Sequence, residues 1–165
     1  MSNRASLTAE ELRGALNYDP TTGEFVWLKR PMKKSLIGKR AGAINGRGYV
    51  FIGLNNESYA AQRLAWLYMT GEWPKHEIDH INGVKTDNRF ENLRDVTSTV
   101  NQQNVRRARK GSATGILGVY RHRHGFRTSI QVGGVSRYIG CFETAAEAQE
   151  AYLKARRELH AGNTL

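Results

Sequence analysis

The chain has 165 residues, 39% of them apolar, and a formal net charge of +10, which suits one domain of ordinary size or two small ones. The single cysteine, Cys141, excludes a disulfide framework or a cysteine-based zinc site within one chain and fits a reducing cytoplasm. No run approaches the ~18 apolar residues of a membrane span, and residues 1–15 contain no apolar run like that of a signal peptide.

In chain order, Thr8-Ala9-Glu10-Glu11 is a capping box. It opens a short helix with Leu7, Leu12 and Leu16 on its apolar face. Residues 18–23 (YDPTTG) are a turn cluster, and Glu24 to Leu28 read as a strand. Pro31 to Gly48, rich in Gly, Lys and Arg, reads as a loop suited to lie along a phosphate backbone. Tyr49 to Leu54 and Ser58 to Ala61, split by Asn55-Asn56, form a hairpin. Leu64, Leu67 and Tyr68 lie at helical spacing, with a stop near Gly71 and Pro74 beyond. Then follow a strand at Glu77 to Ile81, an Asn82-Gly83 turn, a helical turn or loop at Asn88 to Leu93, a strand at Arg94 to Thr97 and a helix at Ser98 to Arg107.

The basic residues concentrate after this point. Residues 1–105 carry a net +3 and residues 106–165 a net +7, with no acidic side chain between Arg106 and Arg137. Such a distribution points to a polyanion partner, most often nucleic acid. Residues 107–114 (RARKGSAT) form the clearest linker. Three strands are expected beyond it, Ile116 to His122, Phe126 to Val132 and Val135 to Phe142. Thr144 to Glu147 is a second capping box, whose helix places Ala148, Tyr152, Ala155 and Leu159 along one stripe.

The densest chemistry lies in EIDHINGVKTDNRFENLRDVTSTVNQQN, residues 77–104. Asp79 and His80 are neighbours at a strand end, so their side chains point to opposite faces. A neutral imidazole can take a proton near pH 7. Carboxylate and amide oxygens suit Mg²⁺ or Mn²⁺, whose remaining positions water and phosphate can fill. Asn92 follows His80 by twelve residues, and Asn101 lies on the expected helix. His76, His122, His124 and His160 show no ligand spacing. Cys141 reads as a small core residue, and Trp27, Trp66 and Trp73 as packing residues.

Asp79-His80-Ile81-Asn82-Gly83, Asp87-Asn88-Arg89, Asn92-Leu93-Arg94, Thr97 and Asn101 together resemble the His-Asn-His (HNH) endonucleases, in particular the phage and intron homing branch. The resemblance extends upstream through Tyr18-Asp19-Pro20, Gly23, Trp27, Gly48-Tyr49 and Arg63-Leu64-Ala65-Trp66. It implies a ββα-metal (His-Me finger) core at 77–105. There His80 would be the general base, Asp79 and Asn101 the ligands of one Mg²⁺ or Mn²⁺, and Asn92 the residue that pins the loop and orients His80. Two positions depart from the family: Asn101 stands where His is frequent, and Gln62 where many relatives have His before Arg-Leu-Ala-Trp.

Residues 115–162 resemble the plant ethylene-response-factor type of DNA-binding domain through Gly118-Val119, Ile130, Tyr138-Ile139-Gly140, Phe142, Thr144, Glu147-Ala148 and Ala151-Tyr152. The resemblance implies a three-stranded sheet lying in the major groove with a helix behind it. Alternation then puts Phe126, Thr128, Ile130 and Val132 on the helix side and Arg127, Ser129 and Gln131 outward, with Tyr138 on the next strand. Arg and Gln can read guanine and adenine. On the first strand either Tyr120 and His122 or Arg121 and Arg123 face outward, since a one-residue slip exchanges them. Arg106, Arg107, Arg109 and Lys110 are expected to touch phosphates, and Arg121, Arg123, Arg127, Gln131, Arg137 and Tyr138 complete the expected DNA surface.

These readings combine into an α+β fold: an N-terminal region and nuclease domain at 1–106, a linker at 107–114 and a small three-stranded antiparallel sheet with one packed helix at 115–162. The implied activity is metal-dependent hydrolysis of DNA phosphodiesters to 5′-phosphate and 3′-hydroxyl ends, with nicking as the default for one site per chain. The implied partner is double-stranded DNA, without a membrane or a small-molecule cofactor, for a monomer or homodimer in the cytoplasm (the host's, if phage-encoded). The rival reading is a sequence-specific DNA-binding regulator with a vestigial nuclease lobe.

Overall fold

Thr8 opens the first helix as its spacing to Glu11 predicts: Glu11 N–H donates to Thr8 Oγ1 at 3.2 Å, and Thr8 N–H donates to Glu11 Oε2 at 2.9 Å. The structure is a computed structural model that describes residues 7–29, 34–105 and 107–160. It mixes helices and strands in two units, residues 1–95 and 96–165.

In the first unit, α1 (Ala9–Ala15) is followed directly by β1 (Leu16–Asp19), which pairs antiparallel with β2 (Glu24–Trp27). Leu16 therefore leaves the helix that its spacing suggested. It lies opposite Trp27, and Tyr18 lies opposite Phe25, so both β1 side chains reach the core. Asp19 closes the turn by accepting from Thr21 N–H at 2.8 Å, and Gly23 follows at φ +74°.

β3 (Ala43–Ile44), β4 (Val50–Leu54) and β5 (Glu57–Ala60) form a three-stranded sheet in that order. Part of the expected loop at 31–48 is thus structured, with a 3-10 turn at Lys34–Leu36 and then β3; residues 31–33 lie outside the described residues. Asn55 and Asn56, at φ 52° and 64°, make the tight β4–β5 turn. α2 (Ala61–Thr70) stops at Gly71, whose left-handed φ of 83° lets its N–H return to Leu67 O at 2.9 Å. Gln62 is buried on α2, and its Oε1 has no hydrogen-bond partner among the described residues.

β6 (Glu77–His80) and β7 (Leu93–Val96) form a two-stranded sheet joined by a loop that ends in a 3-10 turn at Phe90–Asn92. Ile78 and Leu93 anchor these strands in the same core as Leu12, Phe25, Ile52 and Leu64. The loop's polar residues are thereby carried on a hydrophobic base.

In the second unit, α3 (Ser98–Gln103) is shorter than its pattern suggested and ends at Asn104, whose N–H returns to Asn101 O. β8 (Val119–His122), β9 (Gly125–Val132) and β10 (Val135–Phe142) form an antiparallel sheet in the order β10-β9-β8. α4 (Ala145–Leu159), capped by Thr144 and Glu147, packs on it through Ala148 and Tyr152. β8 begins at Val119 rather than Ile116 because Ile116 to Gly118 is spent in a turn, closed by Val119 N–H on Ile116 O. At Gly118 a Cβ would fall 2.3 Å from the Tyr152 ring, so only glycine lets the chain pass there. Arg156, 1% exposed, donates from α4 to the Gln103 carbonyl at the end of α3.

Among the described residues no helix is long and apolar enough to cross a membrane.

All three tryptophans lie in the first unit, so their fluorescence reports its unfolding alone. Leu64, fully buried on α2, should cost about 2–5 kcal/mol when replaced by Ala. Urea titration of Leu64→Ala by tryptophan fluorescence checks this as a lowered midpoint with unchanged slope.

Candidate active site

β6 delivers Asp79 and His80 side by side, 7% and 4% exposed. Two such groups cannot be buried without partners, and both have them. Arg94 on β7 donates to Asp79 Oδ2 from Nε at 2.9 Å and from Nη2 at 2.7 Å. This two-donor grip fixes the carboxylate's orientation. His80 Nε2 lies 3.1 Å from Asn88 Oδ1, and Asn88 is itself 2% exposed. The Asn88 amide nitrogen points to Thr86 O at 3.5 Å, which leaves Oδ1 as the atom facing the ring. An amide oxygen facing Nε2 favours the neutral tautomer that carries its proton there.

The loop between the strands is closed on itself by side-chain amides. Asn92, buried at the loop's end, accepts from Asn82 N–H at 2.9 Å, and its Nδ2 donates to Asn82 Oδ1 at 3.1 Å and to Asp87 O at 2.8 Å. Asn82 Nδ2 donates to Asp87 Oδ2 at 2.6 Å. Hydrogen bonds from the Arg89 side chain, then from Asn82, hold the Asp87 carboxyl down to about 2. Asn92 thus pins the loop, whereas the amide that meets the His80 ring belongs to Asn88. Tyr49 flanks that ring, centroid to centroid 6.1 Å, and Lys85 lies over Tyr49 at 4.5 Å while donating to Arg47 O at 3.0 Å.

Burial pushes His80 below the ordinary histidine value; the Asn88 contact and the Asp79 and Asp87 charges oppose this, and Lys85 adds to it. The neutral ring is the form at pH 7. The unfolded chain takes up this proton at higher pH than the folded chain. The stability linked to His80 is therefore complete above about pH 6.5 and is lost as pH falls through the lower folded value.

The donor set suits a hard cation. Asp79 offers an oriented carboxylate, and the neighbouring polar groups are mostly amides. Among the described residues no three or more His, Cys, Asp or Glu side chains gather as a metal cluster. A small protein ligand set completed by water and phosphate is the ordinary condition of a catalytic Mg²⁺.

Asn101, the other expected ligand, lies half-buried on α3 of the second unit. Arg107, Arg109 and Lys110 are exposed, and Arg106 lies outside the described residues. In the second unit's sheet, Tyr120 opposes Arg127, which opposes Cys141, and Tyr138 opposes Ser129. With Thr128 and Ile130 buried under α4, the outward face carries Tyr120, Arg127, Gln131 and Tyr138. The strand register left open by the sequence therefore takes the Tyr120 and His122 alternative. Arg121 opposes Phe126, with its guanidinium 5.8 Å from that ring, and Arg137 opposes Ile130. Both are exposed but stand on the side of the sheet that α4 covers. Arg123 is exposed in the β8–β9 turn, and Cys141 is exposed rather than a core residue.

Asn88 and Arg94 were visible in the sequence only as motif letters. The signal that could have given them roles is physical: a buried carboxylate and a buried imidazole each require a partner on the next strand or loop. NMR titration of His80 should give a midpoint below 6.5 in the parent chain. Asn88→Asp places a carboxylate against Nε2 and should raise that midpoint by about one unit or more.

Residues 59–103 match the family model described as HNH endonuclease. No curated protein matches the chain. A solved structure of DNA binding and cleavage by the HNH homing endonuclease I-HmuI is similar at 23% identity and a TM-score of 0.44, over 90% of this chain and 89% of that one. The segment that matches the HNH endonuclease model contains Asp79, His80, Asn88, Asn92, Arg94 and Asn101.

Proposed function

We propose that the chain is a metal-dependent DNA endonuclease of the homing type, with His80 as general base. The observation that carries this reading is the buried His80 ring, its Nε2 3.1 Å from Asn88 Oδ1, inside the segment that matches the HNH endonuclease model. The ring accepts the proton of a water that attacks the phosphorus in line with the 3′ oxygen, giving 5′-phosphate and 3′-hydroxyl ends. Its depressed affinity for protons keeps the accepting form populated at neutral pH. Asn92 holds the loop so that Asn88 and His80 stay in register. Asp79, oriented by Arg94, and Asn101 are the proposed ligands of one Mg²⁺ or Mn²⁺. Such a cation, when bound, supplies positive charge to the phosphoryl and leaving oxygens.

The outward face of the second unit's sheet, with Tyr120, Arg127, Gln131 and Tyr138, is the proposed reading surface for double-stranded DNA. The exposed linker cations Arg107, Arg109 and Lys110 supply phosphate contacts. One such site per chain makes a nick the expected product of a single event.

A supercoiled plasmid incubated with Mg²⁺, Mn²⁺ or EDTA tests the reaction: relaxed circles with either cation and none with EDTA are expected. His80→Ala should lower the cleavage rate by about a hundredfold or more with DNA affinity nearly unchanged. A parent chain that binds DNA but cuts with neither cation would favour the regulator reading instead. Log affinity should fall linearly with log salt, and Arg107→Ala should make the slope shallower; filter binding between low and physiological salt measures both.

A further inference from the structure

The hairpin formed by β1 and β2 lies far from His80 in sequence, and the reaction outlined above does not use it. Three independent contacts nevertheless place it on three consecutive residues of the His80 loop. The Tyr18 hydroxyl donates to Asn88 O at 2.7 Å in a buried contact. Phe90 N–H donates to Pro20 O at 3.2 Å. Gly23 packs so closely that a Cβ there would lie 2.4 Å from Arg89 N and 2.5 Å from Asn88 C. Asn88, which receives the first of these contacts through its backbone, presents its side chain to the His80 ring.

We infer that Tyr18, Pro20 and Gly23 form a brace that positions Asn88, and through it His80, so that the N-terminal hairpin is a working part of the active site rather than only a core element. The inference rests on the reading of His80 as the base. Its physical logic is that residues 88–90 have little regular structure of their own. A side chain that must hold one tautomer of a buried ring needs its backbone fixed from outside the loop.

Each contact is suited to the task. Burial pushes the Tyr18 hydroxyl far above its ordinary value, so it remains a donor at every working pH. Its ring is wedged between Phe25 and Tyr68, with centroids at 4.7 and 5.6 Å, which fixes where the hydroxyl points. Gly23, at φ +74°, has both the backbone conformation and the missing side chain that let the turn close on the loop. Pro20 lacks an N–H, but its carbonyl serves the loop as an acceptor.

Tyr18→Phe removes the hydroxyl and keeps the ring packing, so it tests the brace without opening the core. Two readouts are taken in the full chain. At pH 8 the ¹⁵N shifts of the His80 ring report which nitrogen holds the proton; cleavage of plasmid DNA with Mg²⁺ gives kcat and KM separately. The expected result is loss of the single Nε2–H tautomer and a fall in kcat of about ten- to a hundredfold with KM within about twofold. Gly23→Ala should act in the same direction and more strongly. Glu24→Gln, on the same hairpin but paired with Arg40, should change neither.

Parent-like ring shifts and kcat in a folded Tyr18→Phe chain would overturn the brace, even if its melting temperature fell. If the parent chain cuts nothing, the nuclease reading fails separately. The ring shifts then decide the brace on their own.

Discussion

One amide side chain closes the loop on which the candidate site depends. Asn92 accepts from the backbone at Asn82 and donates to the backbone at Asp87, so a stretch of eleven residues, from Asn82 to Asn92, is held near its start, middle and end by a single buried group. Loops carry unsatisfied backbone polarity, and burying one is costly unless each group finds a partner. Here the partners are other loop residues: Asn82, Asp87 and Arg89 answer one another. The resulting polar knot sits on apolar strands anchored by Ile78 and Leu93. A buried imidazole can then be held beside a buried carboxylate without either being left unsatisfied.

The division of labour among the amides follows from where each sits. Asn92, at the foot of β7, reaches the loop at Asn82 and Asp87. Asn88, at the loop's far side, is the one whose Oδ1 reaches the ring. Arg94 stands on the strand next to Asp79 and grips its carboxylate from the side. Proton affinity and orientation at His80 are thus set by groups on different elements, so that the ring's environment depends on the pairing of β6 with β7 as much as on the motif itself.

Much of this was legible in the sequence where the controlling interaction is local. Both capping boxes, the Asn55-Asn56 turn, the helix stop at Gly71 and the alternation along β9 all lie where their residues indicate. Interactions between distant segments were not legible. Leu16 has helical spacing to Leu12, yet pairing with Trp27 turns it into a strand residue. The short β3 in a Gly-rich stretch has no periodicity to reveal it. The ring-orienting amide was expected at Asn92 because the family resemblance supplies that position; nothing in the spacing distinguishes Asn88 as the residue whose side chain turns inward. Arg121 and Arg137 look like members of a basic surface in one dimension, and only the strand register separates them from Arg127.

The guanidinium of Arg156 has a consequence for how the chain can be divided. It is buried in the sheet-and-helix module, yet it holds the last carbonyl of α3, more than fifty residues earlier. A polypeptide ended at the basic linker would keep Asn101 but lose the cation that satisfies the C-terminus of the helix carrying it. Exchanging the sheet and helix of the second unit for another fold therefore requires a donor that brings its own arginine to this position, or a boundary drawn before α3 instead of after it.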